Sequence, residues 1–168
     1  MIRQRSAVAV LVLSAAGLLG IVAQEGYTER AIVPTKNDRP TVGFGSTFRD
    51  DGAPVQLGDT IKPVPALQRS LAHIAKDEAG LKRCVTGELY QAEYDILVDF
   101  SYQYGTRKTC ASAMVRHINT GNYVASCNSY PLYKYSGGFD CSIPGNKVCA
   151  GVWTRNLARR DACLKAGL

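Results

Sequence analysis

The chain has 168 residues, of which 46% are hydrophobic, and it carries a formal net charge of +6. This length fits one compact domain with a terminal extension, and the apolar content excludes a wholly disordered chain. The positive charge is compatible with a polyanionic partner such as nucleic acid, anionic lipid or an acidic cell-wall polymer, and by itself it selects none of them.

An apolar run occupies residues 7–23 and follows Arg3 and Arg5. As a helix it would span roughly 25 Å, which is short of a bilayer core of about 30 Å. It is rich in Ala, Gly and Ser, which favour insertion only weakly. We interpret residues 1–23 as a weak, uncleaved signal-anchor segment with the domain of residues 24–168 outside the cytoplasm, because positive residues precede the run. A cleaved signal peptide and a buried core helix are the alternatives.

The stretch after the run combines a carboxylate with a predicted hairpin. A helix that continues through Glu25 should end at Gly26, the usual residue just past a helix end. Residues 41–48 then alternate apolar side chains with glycines, and Asp50-Asp51-Gly52 predicts a turn. A carboxyl group at a helix end beside buried residues has the raised pKa that a general acid needs, so Glu25 is a catalytic candidate.

The second half of the chain is predicted to be mainly helical. The first helix begins near Pro65 and should bury Leu67, Leu71 and Ile74. Further predicted helices cover Ala92–Tyr104, with Gly105 as its stop, Ser112–Asn119, with a serine N-cap at Ser112, and residues 151–165. The fold class is therefore α+β, with a small β-hairpin lobe, a larger helical lobe, a cleft between them and an apolar helix in front.

The cysteines indicate disulfide bonds rather than a metal site. No CxxC pair exists and the chain has only two histidines, so a zinc site is poorly supported and we predict neither metal nor cofactor. An even number of cysteines after an export-like N-terminus is typical of an oxidising compartment. We predict the local pair Cys141–Cys149 around a Gly/Pro loop and leave the other pairings open.

Several motifs occur in a characteristic order. Glu25-Gly26-Tyr27 is followed by PTVGFGST over residues 40–47, and by QAEYDILVDF over residues 91–100. Next come SAMVRHINTGNY at residues 112–123, Gly137-Gly138, and the C-terminal segment GVWTRNLARRDACL. This series resembles the phage lysozymes of glycoside hydrolase family 24, from about residue 24 to the end of the chain. The resemblance implies that the α+β fold is lysozyme-like.

The resemblance also implies three catalytic residues. Glu25 matches the general acid, and Thr41 matches the threonine that helps to hold the attacking water. The usual spacing places the water-activating aspartate at Thr35, which cannot act as a base. We therefore assign that role to Asp38, the carboxylate nearest to this position before the strand, and the choice between Thr35 and Asp38 stays open.

The C-terminal motif supplies a supporting residue. Arg155 matches the first arginine of the family motif, and we expect it to pair with Glu25 or another buried acid. Asn156 and Arg159 depart from the family pattern, so the ion-pair network around them should differ.

Taken together, the resemblance implies a monomeric endolysin, a muramidase that hydrolyses the MurNAc–GlcNAc bond of bacterial peptidoglycan during host lysis. The apolar run is similar to that of signal-anchor-release endolysins, which implies a protein tethered to the host inner membrane, facing the periplasm, and later released into it. The alternatives are a lytic transglycosylase that uses Glu25 alone and an inactive, membrane-anchored wall-binding protein. Dispersed Lys and Arg residues argue against nucleic-acid binding.

Overall fold

The computed structural model describes residues 4–34 and 38–167. Its helices are α1 (Ala15–Glu25), α2 (Pro63–Cys84), α3 (Gln91–Tyr104), α4 (Thr106–Cys110), α5 (Ala113–Asn119), α6 (Tyr123–Cys127) and α7 (Ala150–Lys165). The strands are β1 (Ser6–Ala7), β2 (Thr28–Ile32), β3 (Thr41–Gly43), β4 (Glu88–Leu89), β5 (Tyr135–Ser136) and β6 (Phe139–Asp140). They pair as β1–β4, β2–β3 and β5–β6, each pair antiparallel. The predicted α+β class is confirmed.

The described chain divides into two compact units, residues 15–77 and residues 4–14 with 78–167. We call them the hairpin unit and the helical unit. The predicted division at residue 23 and the predicted cleft stay predictions.

The hairpin unit is built around the antiparallel pair of β2 and β3. Ile32 lies opposite Thr41 and Thr28 lies opposite Gly43, with a bulge between the two pairs. One face of this pair packs on a small apolar core made of Ala31, Val42, Val55, Ile61 and Ala66. The predicted turn at residues 50–52 is confirmed, since Arg49 N–H donates to the Ala53 carbonyl at 2.7 Å.

Helix α2 begins at Pro63, two residues before its predicted start. Proline suits this position because the first helical N–H has no partner within the helix. The helix buries Ala66, Ser70 and Ile74, which follow one another at intervals of four residues. The predicted buried face is therefore wrong at Leu71, which is 43% exposed, because small residues rather than leucines occupy the tightly packed side.

The predicted helix over residues 7–23 is wrong in its first half. β1 pairs with β4, and a single 3-10 turn follows at Val8–Val10. The Leu13 N–H then donates to Glu78 at 2.8 Å, and Ser14 donates through its N–H and hydroxyl to Asp95 at 3.0 and 2.5 Å. These bonds hold the chain extended, so helix α1 starts only at residue 15. Within the described ranges, no helix is both long enough and apolar enough to span a membrane.

The helical unit follows its local sequence signals closely. Helix α3 was predicted within one residue, and Gly105 ends it with a positive φ of 83°. Its inner face buries Tyr94, Leu97 and Val98. The hydroxyl of Ser112 accepts a hydrogen bond from Val115 N–H at the start of α5, which confirms the predicted serine N-cap. Helix α7 confirms the predicted C-terminal helix.

Three disulfide bonds join the six cysteines within the helical unit. The local pair Cys141–Cys149 is confirmed, and the other pairs are Cys84–Cys110 and Cys127–Cys163. The pair Cys127–Cys163 lies in the core of this unit, packed with Phe100, Met114 and Tyr130. The disulfides therefore link α2 to α4 and α6 to α7, and they close the loop in front of α7.

Candidate active site

Glu25 is the last residue of α1. The Gly26 N–H donates to the Val22 carbonyl at 3.1 Å, and Gly26 adopts a φ of 67°, a conformation that costs glycine little. This confirms the predicted helix end. Termination at this point leaves the Glu25 side chain half-buried at the exit of the helix rather than in its middle.

The hairpin that begins at Thr41 closes through a three-residue loop. Val42 and Ser46 exchange two backbone hydrogen bonds, each of 3.0 Å, and Gly43, Phe44 and Gly45 form the loop between them. Thr41 itself is half-buried and pairs with β2. The threonine side chain is thus fixed on a strand that is hydrogen-bonded on one side and closed by a tight loop at its end.

The glycines of this loop have separate packing roles. A Cβ atom on Gly43 would lie 2.9 Å from the Cβ of Ala66 and 3.3 Å from Ile61, so only glycine lets the strand approach α2 this closely. Gly45 lies against the carboxylate of Glu25, because a Cβ atom on Gly45 would lie 2.9 Å from Oε2 of Glu25. The carboxylate of Glu25 therefore rests against the loop of the Thr41 hairpin, as the sequence predicted.

Two aromatic rings contact each other near the end of α1 and in the hairpin loop. Tyr27 follows Glu25 after one residue, and its ring centroid lies 5.5 Å from that of Phe44 in the loop. The Tyr27 hydroxyl donates to the Ile61 carbonyl at 2.7 Å, which fixes the ring.

Asp38 lies in the exposed segment that precedes β3. Its described hydrogen bond is local, because Oδ1 accepts from the backbone N–H of Arg39 at 2.8 Å. Thr35, the other candidate for the water-activating position, lies outside the described residues. The roles of Glu25, Asp38 and Thr41 stay predictions.

Arg155 belongs to the helical unit and binds an acid of α3. Its Nη2 donates to Oδ1 of Asp99 at 2.6 Å, and Nε of Arg159 donates to Oδ2 of the same carboxylate at 2.6 Å. Asp99 is 15% exposed, so one partly buried carboxylate holds two guanidinium groups. The predicted pairing of Arg155 with another buried acid thus has Asp99 as its described partner.

The network continues through Asn156 and Arg159, the two positions that depart from the family pattern, and through Tyr104 and Tyr133, which were not predicted to take part. Arg159 donates to the Asn156 side-chain oxygen at 2.7 Å, and the Asn156 amide donates to the Tyr104 hydroxyl at 2.9 Å and the Tyr133 carbonyl at 2.8 Å. Asn156 and Arg159 are both buried. The available signal was Asp99 itself, because a charged residue inside the apolar run 96–100 requires a partner.

One group of potential metal ligands comes together in the described part of the chain, namely Glu93, Cys127 and Cys163. The two cysteines are joined to each other as a disulfide, so neither offers a thiolate. Glu93 is occupied by an ion pair with Arg5. These three residues form a disulfide bond and an ion pair, and they are not a metal centre.

Comparison with known proteins covers both units. A family model described as phage lysozyme matches residues 22–159. The chain is 26% identical over 125 residues to the endolysin of Salmonella phage P22, which is 74% of this chain and 85% of that protein. It is 27% identical to the endolysin of Bacillus phage B103, over 75% of this chain but only 47% of that protein. The structure of the endolysin from Escherichia coli O157:H7 phage FAHEc1 superposes with a TM-score of 0.79 at 27% identity, covering 97% of this chain and 98% of that one.

Proposed function

Because this chain belongs to the phage lysozyme family, a family of peptidoglycan-degrading hydrolases, we propose that it is an endolysin that hydrolyses the MurNAc–GlcNAc glycosidic bond. The observation that carries this proposal is the contact between Glu25 and the Thr41 hairpin. It places a half-buried carboxyl group at a helix end, against a loop that only glycine can form there.

In the proposed reaction Glu25 donates its proton to the glycosidic oxygen as the bond from that oxygen to the anomeric carbon breaks. A water held by Thr41 attacks the anomeric carbon from the opposite face and gives its proton to Asp38. Atoms and charge balance, since one carboxyl group loses a proton and the other gains one. Attack by water on the opposite face inverts the configuration at the anomeric carbon.

The test is lysis of purified peptidoglycan by single-site variants. Glu25→Gln keeps the size of the side chain and removes the acidic proton, so we expect turnover to fall by a factor of about 10²–10⁴. Asp38→Asn and Thr35→Ala separate the two candidates for the water-activating position. The matched control is Glu29→Gln, because Glu29 is an exposed glutamate of the same unit that pairs with Lys62. Parental activity in Glu29→Gln with loss in Glu25→Gln is the expected result.

The products distinguish the neighbouring reactions. Hydrolysis leaves a free reducing end on MurNAc, whereas a lytic transglycosylase leaves an anhydro sugar and needs no second carboxylate. Asp38 is exposed and accepts a hydrogen bond from a backbone N–H. The transglycosylase, which does not need this carboxylate, therefore stays an alternative to hydrolysis. A Glu25→Gln protein as lytic as the parent would instead support a wall-binding protein without this chemistry.

We further propose that the enzyme is a monomer that acts in the host periplasm after a stage tethered to the inner membrane. Three disulfide bonds support an oxidising compartment. In the tethered stage the bilayer would keep the end of α1 away from the Thr41 hairpin, so contact with Gly45 would form only on release. Fractionation of membranes, with lysis assays of the tethered form and of the released full-length form, tests this. Equal activity of the two forms contradicts it.

A further inference from the structure

A pocket lies in the hairpin unit, next to Val42 of β3. It has a volume of about 350 Å³. Apart from Val42 its lining is polar or charged, and consists of Arg49, Asp50, Asp51, Asp59, Thr60 and Arg69. The roles proposed for Glu25, Asp38 and Thr41 use none of these side chains. The pocket therefore has no assigned function.

The two arginines of this pocket are held in the same way. Arg49 donates from Nε and Nη2 to Asp59 at 2.7 and 2.6 Å, and Arg69 donates from Nε and Nη2 to Asp50 at 2.7 and 3.1 Å. Each carboxylate thus occupies one edge of its guanidinium group. Within the described part of the chain nothing accepts a hydrogen bond from Nη1 of either arginine. Two oriented cationic donors are therefore left for a ligand.

The ion-paired carboxylates of the pocket, Asp50 and Asp59, stay ionised. The hydrogen bond from Arg69 lowers the pKa of Asp50, and the hydrogen bonds from Arg49 and the Gln56 backbone lower the pKa of Asp59. Asp51 differs from both, because its Oδ1 accepts the backbone N–H of Ala53 at 2.9 Å. Among the described residues it forms no ion pair. The pocket therefore presents cationic donors together with an exposed carboxylate that lies near Arg49 without forming an ion pair among the described residues.

We propose that this pocket binds the free end of a diamino acid side chain in a peptidoglycan peptide stem, where one carbon carries both an ammonium and a carboxylate group. The ligand carboxylate would accept from Nη1 of Arg49 and Arg69, and its ammonium would bind Asp51. A simple anion would leave Asp51 without an ion-pair partner and would bring a second negative charge close to it. A metal cation would face the positive charges of two guanidinium groups. The proposal rests on the proposed action on peptidoglycan, and it adds recognition of the peptide to cleavage of the glycan.

Binding of a free stem peptide tests the pocket without turnover. The full chain carrying Glu25→Gln is titrated by calorimetry with a synthetic stem peptide that contains the diamino acid, and with the same peptide acetylated on the side-chain amine of that residue. We expect Asp51→Asn, or acetylation, to weaken binding about tenfold, the loss of one charge-assisted contact. Asparagine can still accept the Ala53 N–H, so the turn is kept. Asp161→Asn, which removes an exposed carboxylate of the helical unit, should leave binding unchanged.

A second experiment measures lysis by the chain with Glu25 intact on two substrates. These are glycan strands that carry peptide stems and glycan strands from which the stems have been removed. Asp51→Asn and Arg69→Lys should lower kcat/KM about five- to tenfold on the first substrate and leave the second unchanged. A stem peptide that does not bind, or that binds the Asp51→Asn protein as tightly as the unsubstituted pocket, overturns the pocket assignment. Undiminished lysis by Glu25→Gln would overturn the proposed glycosidase and leave the binding result standing, so the two failures are distinguishable.

Discussion

Arg5 and Glu93, which are 88 residues apart in the chain, form a two-point ion pair within the helical unit. Nε donates to Oε2 at 3.0 Å and Nη2 donates to Oε1 at 2.8 Å. The guanidinium group also lies over the rings of Tyr90 and Tyr123, 4.1 and 3.5 Å from their centroids. A residue in front of the apolar run is thus part of the folded helical unit.

Substitution of Arg5 by glutamine should destabilise the protein by about 2 kcal/mol, because it leaves the charge of a buried carboxylate without its partner. Glu93 is 6% exposed, and its other described bond is only to the backbone N–H of Tyr90. Adding Glu93→Gln should restore part of the loss, since the uncompensated charge is then gone. The measurement is urea unfolding of the parent, both single variants and the double variant.

The control for this experiment is Arg160→Gln. Arg160 pairs with Asp161 at 2.7 Å, but both side chains are well exposed, so its removal should change the free energy of unfolding by less than about 0.5 kcal/mol. Equal small effects of Arg5→Gln and Arg160→Gln would mean that the Arg5–Glu93 pair does not hold the N-terminal segment.

The three disulfide bonds should contribute to stability in the order of the loops they close. Cys127–Cys163 spans 36 residues, Cys84–Cys110 spans 26 and Cys141–Cys149 spans 8. The chain-entropy model gives about 4, about 3.5 and about 2.5 kcal/mol for these loops. Replacement of each pair by alanines, followed by denaturant unfolding, measures the order. A larger loss for Cys141–Cys149 than for the buried Cys127–Cys163 would contradict the entropic account.

The β5–β6 hairpin contains an aspartate with an unusual titration. The hydrogen bond from Lys134, followed by those from Ser142, lowers the pKa of Asp140 from its usual 3.8 to about 2. A lowered folded-state pKa stabilises the fold above the unfolded value near 3.8, and this contribution is lost as the pH falls through about 2. NMR titration of the carboxyl carbon should show that value. Lys134→Gln should raise it part of the way toward 3.8, whereas Lys147→Gln should leave it unchanged.

The parts of the fold that were predicted correctly are those determined by neighbouring residues. Helix α3, its stop at Gly105 and the Ser112 cap each depend on groups within about four positions. The N-terminal run was not predictable in this way, because an apolar sequence looks the same whether it packs against lipid or protein. Its conformation depends on bonds from Leu13 and Ser14 to carboxylates 65 and 81 residues away.

Prediction of the candidate site was also limited to features that depend on neighbouring residues. The approach of Glu25 to the glycine-spaced hairpin followed from a helix stop and a turn pattern, both local. A pairing of Arg155 with Glu25 or another buried acid was predicted, but Asp99 was not identified as that acid, since the two residues come from different helices and charged residues on a helix usually face solvent. Arg159 is instead 4% exposed, and its burial is possible only because Asp99 and Asn156 accept hydrogen bonds from its guanidinium group.

The contact of Gly45 with Glu25 gives the sharpest test of the site. Gly45→Ala places a methyl group 2.9 Å from Oε2 of Glu25, at a φ of 77° where a Cβ is also strained. We expect a loss of stability of about 1 kcal/mol and a fall in lytic activity of at least about tenfold, because the acid is pushed from its position.

Gly121→Ala is the matched control for Gly45→Ala. Gly121 belongs to the helical unit and has a similar φ of 73°, but a Cβ there meets no atom within 4 Å. It should therefore lose a similar amount of stability, about 1 kcal/mol, while keeping its activity, since backbone strain is common to both variants and the carboxylate contact is not. Thermal unfolding and lysis of purified peptidoglycan separate the two effects, because only displacement of the acid should lower activity. If the two variants lose activity equally, the hairpin loop does not position Glu25.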